Sequence, residues 1–228
     1  MTDRERENIN AFIDHMTKVT MRVVKWNEHG QLTGMSSGFL YQPDLKQHPI
    51  VITAGHRMPG RGAFLETRFV KDGKPLLING GKFKVFLNAD NIDYAYSVLP
   101  VEVIKRDIPN DANVEYLFYR YKFIKAKKNE AYGFAVVNNY LEFIKSGDDL
   151  LLPTYCCYEV GLELVKQDEH INYFRPSRPI RDDDYYRGAS GSPIADREGA
   201  ITSILISGTE PREFLRAFRL DNIDLPVD

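Results

Sequence analysis

From Val19 onward this chain is a succession of short strand-like segments, and that rhythm limits what it can fold into. Val19–Lys25, Gly38–Tyr41, Pro49–Thr53, Phe64–Val70, Phe83–Phe86 and Tyr94–Val98 are apolar or alternating runs separated by Gly, Asn, Asp and Pro. Turn residues at this spacing with β-branched and aromatic residues between them point to antiparallel sheets closing into sandwiches or barrels. A polar, proline-containing stretch, Pro100–Asn113, follows and reads as a crossing between two units. The second set comprises Val114–Tyr121, Tyr132–Val137, Thr154–Val160, Ile194-Ala195 and Ile201–Ile206. Two segments carry helical spacing instead. Ile9, Phe12, Ile13 and Met16 mark an N-terminal amphipathic helix packed outside the core, with a partner-binding helix as the alternative. Phe214, Leu215 and Phe218 predict a C-terminal helix over Arg212–Arg219.

The expectation is therefore an all-β chain, two antiparallel six-stranded barrels with a short helix at each end. Residues 1–18 would form the first helix, 19–105 the first barrel and 106–228 the second barrel with its helix. A chain of 228 residues, 43% hydrophobic, is long enough to bury two such cores. The net charge of −2 gives no reason to expect nucleic acid or a membrane surface as partner. No apolar run is long enough to span a bilayer, and Met1–Glu7 lacks the apolar stretch of a secretory signal. The only two cysteines, Cys156 and Cys157, are neighbours, a spacing that strains a disulfide. On a strand they point to opposite faces. Unpaired cysteines fit a reducing compartment, so the chain is expected to be cytoplasmic.

Chemistry enters at three places. Val51–His56 ends an apolar strand on a histidine after the small residues Ala54 and Gly55. Asn91–Leu99 opens a strand with Asp93 at its head; Asp90, three residues earlier, competes for the same part. Gly188–Pro193 is a small-residue turn around Ser190. A serine hydroxyl needs a base within hydrogen-bond reach to act as a nucleophile, and histidine has the proton affinity for it. A sheltered carboxylate fixes the imidazole tautomer and stabilises the imidazolium. His56, Asp93 and Ser190 supply one group for each part, with 37 residues from the first to the second and 97 from the second to the third.

These boxes resemble those of the chymotrypsin/trypsin-like serine peptidases, of the disulfide-free intracellular bacterial or viral type. Thr53-Ala54-Gly55-His56 is similar to the family's histidine box, Asp93-Tyr94-Ala95 to its aspartate box and Gly188-Ala189-Ser190-Gly191-Ser192-Pro193 to its serine box. The resemblance runs from Val19 to the C-terminal segment. It implies a serine endopeptidase working through an acyl-enzyme, with no cofactor and no metal, on protein or peptide substrates. It also implies an oxyanion hole from the N–H groups of Gly188 and Ser190. Asp184, six residues before the serine, would select Arg or Lys in the substrate, and Thr202 would lie on the strand that pairs with the substrate backbone. Ala189 stands where secreted members carry the aspartate that pairs with a freshly cut N-terminus, so that activation step should be absent. Substrate or a regulatory protein partner would then be left to shape the oxyanion loop. The alternative function is a catalytically silent peptide-binding module of the same fold.

Overall fold

Apolar residues two apart along each strand sort into three clusters, and those clusters define the architecture. The computed structural model describes residues 2–26, 32–58, 63–71, 74–88, 91–107, 117–139, 144–146, 149–151, 154–180, 183–209 and 213–226. The first helix, α1 (Asp3–Val19), starts with a capping box: Thr2 Oγ1 accepts the Glu5 N–H, and Glu5 Oε2 accepts the Thr2 N–H. The first sheet contains β1 (Thr20–Trp26), β2 (Leu32–Tyr41), β3 (Ile50–Thr53), β4 (Phe64–Lys71), β5 (Lys74–Asn79), β6 (Lys84–Leu87) and β7 (Asp93–Val98). They run in the order β5-β4-β1-β2-β3-β7-β6, all antiparallel neighbours. After α2 (Val101–Asp107), the short β8 (Phe118–Tyr119) returns to pair with β2 in parallel.

The second unit is a closed six-stranded barrel. Its strands are β9 (Ala131–Asn139), β12 (Thr154–Gln167), β13 (Ile171–Arg175), β14 (Pro193–Asp196), β15 (Ile201–Gly208) and β16 (Leu215–Arg219). A hairpin of β10 (Ile144–Ser146) and β11 (Asp149–Leu151) lies apart from it, and α3 (Asp183–Tyr186) precedes the serine turn. The barrel interior is packed by Phe134, Val136, Cys157, Leu162, Phe174, Ile194, Leu205, Leu215 and Ala217. Met21, Val23, Leu40, Val51, Leu65, Ile78 and Ala95 line the inner face of the first sheet, with Ile104 of α2 beside them. Their neighbours in sequence, Phe39, Ile52, Tyr94 and Tyr96, point the other way. They meet Ala135, Ile204, Ile206 and Phe218 from the outside of the barrel, together with Met16 and Val19 of α1. Burial on both faces is why β3 reads as an apolar run, Ile50-Val51-Ile52, rather than an alternating one.

Two expectations about architecture change. The first unit is not a closed six-stranded ring: β5 and β6 end its seven-strand path and do not pair with each other among the described residues. The C-terminal segment is a strand, β16, and not a helix. Leu215 and Ala217 face the barrel interior while Phe218 faces the first sheet. A strand buried on two sides loses its period-2 signature, and its apolar residues then mimic helical spacing. Pairing with β13 and β15 also closes the barrel, which a helix there could not do. The two cysteines do point to opposite faces: Cys157 into the barrel, Cys156 against the cluster between the units.

Candidate active site

Three loops, two from the first sheet and one from the barrel, converge at the contact between the units. β3 is buried throughout and ends at Thr53; Ala54 leads into a 3-10 turn, Gly55–Arg57. Gly55 makes that turn fit, because a Cβ there would come within 2.8 Å of Tyr94 O and 2.9 Å of Phe86 O. With Thr53 opposite Ala95, the turn sets His56 against the head of β7. Asp93 holds it twice. Oδ1 accepts the His56 backbone N–H at 2.9 Å, and Oδ2 lies 2.7 Å from the ring Nδ1. A carboxylate can only accept there, so Nδ1 carries the proton and Nε2 keeps its lone pair. Nε2 lies 3.1 Å from Ser190 Oγ, which also lies 3.3 Å from the carbonyl oxygen of Ile206.

Burial is graded across the three groups. The Asp93 side chain is 14% exposed and the His56 side chain 29%, while Ser190 is 8% exposed. Burial alone would raise the Asp93 pKa, but hydrogen bonds from the His56 ring and backbone, the imidazole charge and the Gly55 N–H outweigh it. The net shift is downward from the ordinary 3.8. Asp93 is accordingly ionised at neutral pH.

The serine turn is fixed from both units. Ser37 of β2 donates its N–H to Ser190 O at 2.7 Å and its hydroxyl to Gly188 O at 2.7 Å. Gly191 donates to Leu205 O and sits at φ +91°. Any side chain there would meet Ser37 O and, at 2.6 Å, Thr53 Oγ1. Gly191→Ala is therefore expected to destabilise the protein by on the order of 4 kcal/mol and to remove activity. Chemical denaturation with a serine-directed label on the same sample checks both. Upstream, Tyr185 OH donates to Tyr158 O and accepts the Tyr158 N–H, and Tyr186 OH donates to Glu159 Oε1 at 2.7 Å. These contacts pin α3, and so the start of the turn, to β12. Ala189 is fully buried in the barrel core. Among the described residues, the N–H groups of Gly188 and Ser190 have no acceptor within the protein.

The other sequence-derived residues fare differently. Thr202 is a correction: it is fully buried, its hydroxyl donates to Ile194 O, and its carbonyl accepts the Leu220 N–H. It lies at the opposite end of β15 from the site. The part of β15 that reaches the cleft is Ile206–Gly208, beyond the Pro193–Ile204 pairing with β14. Asp184 has its backbone in α3, but its side chain lies outside the described residues, as does Asp90 altogether. Among the described residues no group of three His, Cys, Asp or Glu is placed to hold a metal ion, and no helix is long and apolar enough to cross a membrane. Sequence reasoning missed Ser37, because only the docking of the two units brings it to the turn.

No protein-family model matches this sequence, and no curated protein does. Solved structures do match. GrC aligns with a TM-score of 0.59 at 14% identity, over 90% of each chain. A catalytically inactive tobacco etch virus protease complexed with substrate aligns at 0.52 and 13% identity, over 90% of this chain and 79% of the other. The protease Rv3671c from M. tuberculosis, in its active form, aligns at 0.50 and 13% identity, over 97% and 88%. The fold is chymotrypsin-like. His56, Asp93 and Ser190 meet at the contact between its two units.

Proposed function

We propose that this protein is a serine endopeptidase in which Ser190 is the nucleophile, His56 the general base and acid, and Asp93 the orienting carboxylate. The observation that carries this reading is the His56 ring, bridging Ser190 Oγ at 3.1 Å and Asp93 Oδ2 at 2.7 Å across two sheets. Ser190 Oγ attacks the scissile carbonyl carbon as its proton passes to Nε2. The imidazolium is stabilised by Asp93, and the N–H groups of Gly188 and Ser190 receive the oxyanion. Nε2 then delivers the proton to the leaving amine. The acyl-enzyme is hydrolysed by water through the same steps with His56 again as base. Ile206–Gly208 offers a strand edge for the substrate backbone, which adds as one more antiparallel strand.

Cys156 and Cys157, neighbours on β12 that face opposite ways and so do not bridge each other, suit a reducing compartment, the cytoplasm. Tyr185 and Tyr186, anchored on β12, take over the support that an aspartate at position 189 would give, so the protein works without proteolytic maturation. We extend the proposal to Asp184, six residues before Ser190, as the residue that selects Arg or Lys at the position supplying the scissile carbonyl, since a cation there would pair with its carboxylate and an uncharged side chain would not. Asp184→Ser should shift cleavage of a peptide library towards uncharged residues at that position, and coincident profiles would remove the assignment. The library itself tests the larger reading. Cleavage by the purified protein supports a peptidase, whereas peptides retained uncut identify a silent binding module.

A further inference from the structure

Beside the site lies a cavity of about 250 Å³, walled on one side by Leu87 and Asn88 at the end of β6 and on the other by β15 and β16. His56 and Asp93 form one end, and Ile92, Ile206, Asn91 and Arg216 contribute further walls; Ser190 does not reach it. Among the described residues this wall carries one anion, Asp93, and one cation, Arg216, and the two are not equally committed. Asp93 has both oxygens engaged by His56. Arg216 has no such partner. Its guanidinium donates to Asn91 Oδ1 at 2.8 Å, and among the described residues it forms no ion pair.

Arg219, three residues later on the same strand, shows what a structural arginine looks like here. It is gripped by Asp221 through two contacts of 3.0 and 2.6 Å and also donates to the Asp168 carbonyl. Asn91 is equally particular. It holds a left-handed backbone, φ +67°, which non-glycine residues adopt infrequently, at the turn that meets Arg216. Because Asn91 Oδ1 is used by Arg216, its amide donors are the part of the side chain left over. A guanidinium and an amide N–H₂ side by side, over the apolar Ile92 and Ile206, suit a carboxylate on a short aliphatic stem.

We infer that this cavity is a subsite selecting an acidic side chain, aspartate or glutamate, in the peptide bound by the cleft; the inference rests on the peptidase reading above. The cavity adjoins His56 and Asp93 but not Ser190, so the acidic side chain belongs to a residue near the scissile bond and not to the one whose carbonyl is attacked. Ile206 joins the cavity to the strand edge along which the peptide backbone would lie. This subsite and Asp184 act on different positions of one substrate.

The test uses two measurements on the full chain. Wild-type protein is given a peptide library and the cleavage profile is read. Ser190→Ala protein, which cannot turn over, is titrated with peptide pairs differing only by Asp or Lys at each position. An enrichment of about tenfold for Asp or Glu over Lys at one position is expected, weakening as salt is raised. Arg216→Gln should abolish it and Arg216→Glu should invert it, with circular dichroism confirming that both variants fold. No acidic enrichment, or enrichment that survives Arg216→Glu, overturns the subsite. If Ser190→Ala shows the Arg216-dependent preference while wild type cuts nothing, the peptidase reading fails and the subsite stands. Should neither measurement detect any peptide, both fall.

Discussion

Ser190→Ala is expected to lower kcat for peptide hydrolysis by about 10⁶-fold, the largest effect of any single change in this chain. The substitution removes one oxygen, whose contacts are His56 Nε2 and the Ile206 carbonyl. The backbone bond from Ser37 N to Ser190 O is untouched, so the turn keeps its shape. Thermal denaturation should therefore change little while turnover disappears. His56→Ala should cost about as much, and the double variant scarcely more, because groups that act as a unit lose their function together. A Ser190→Ala protein retaining a tenth of wild-type activity would move the nucleophile elsewhere.

Asp93→Asn is expected to reduce kcat by about 10⁴-fold. Both carboxylate oxygens accept from His56, one from the backbone N–H and one from the ring Nδ1–H. An asparagine has only one acceptor. Either its N–H₂ faces the backbone N–H, or it faces Nδ1 and drives the ring proton to Nε2, where it can no longer accept from Ser190. The same variant reports on stability. The Asp93 pKa is depressed in the folded protein, so its ionised form stabilises the fold fully above the ordinary value of 3.8. That contribution is lost as pH falls below 3.8 through the depressed folded value. Denaturation midpoints of wild type and Asp93→Asn should differ above pH 3.8 and converge below it. A gap that widened on acidification would mean that the carboxylate is not stabilised by His56.

Much of this was legible in the sequence because the relevant signals are local. Thr53–His56 and Asp93–Ala95 sit at strand boundaries, where apolar runs stop at small or charged residues, and the serine turn carries its glycines in order. The choice of Asp93 rests on its place at the head of a strand, and Asp93 is bonded to His56, while Asp90 lies outside the described residues. What was not legible depends on how the units dock. Ser37 has no motif of its own; only contact with the barrel turns a buried serine in β2 into the support of the Ser190 turn. Arg216 and Asn91, 125 residues apart, meet for the same reason. Thr202 shows the limit of reading along one strand. It lies on the right strand but at the wrong end, and β15 is long enough that its two ends serve different purposes. β5 and β13 carry weaker signals, the first because Pro75 and the Gly80-Gly81 pair interrupt a strand pattern.

The central claim is that the His56–Asp93 pair makes Ser190 a nucleophile, and a fluorophosphonate probe tests it most directly, since only an activated serine reacts with it. Intact protein at neutral pH is predicted to take up one equivalent of probe, with the modified peptide containing Ser190. Ser190→Ala, His56→Ala and the acid-denatured protein should take up none. Stoichiometric labelling of another residue, or a folded wild-type protein that remains unlabelled, would contradict the account.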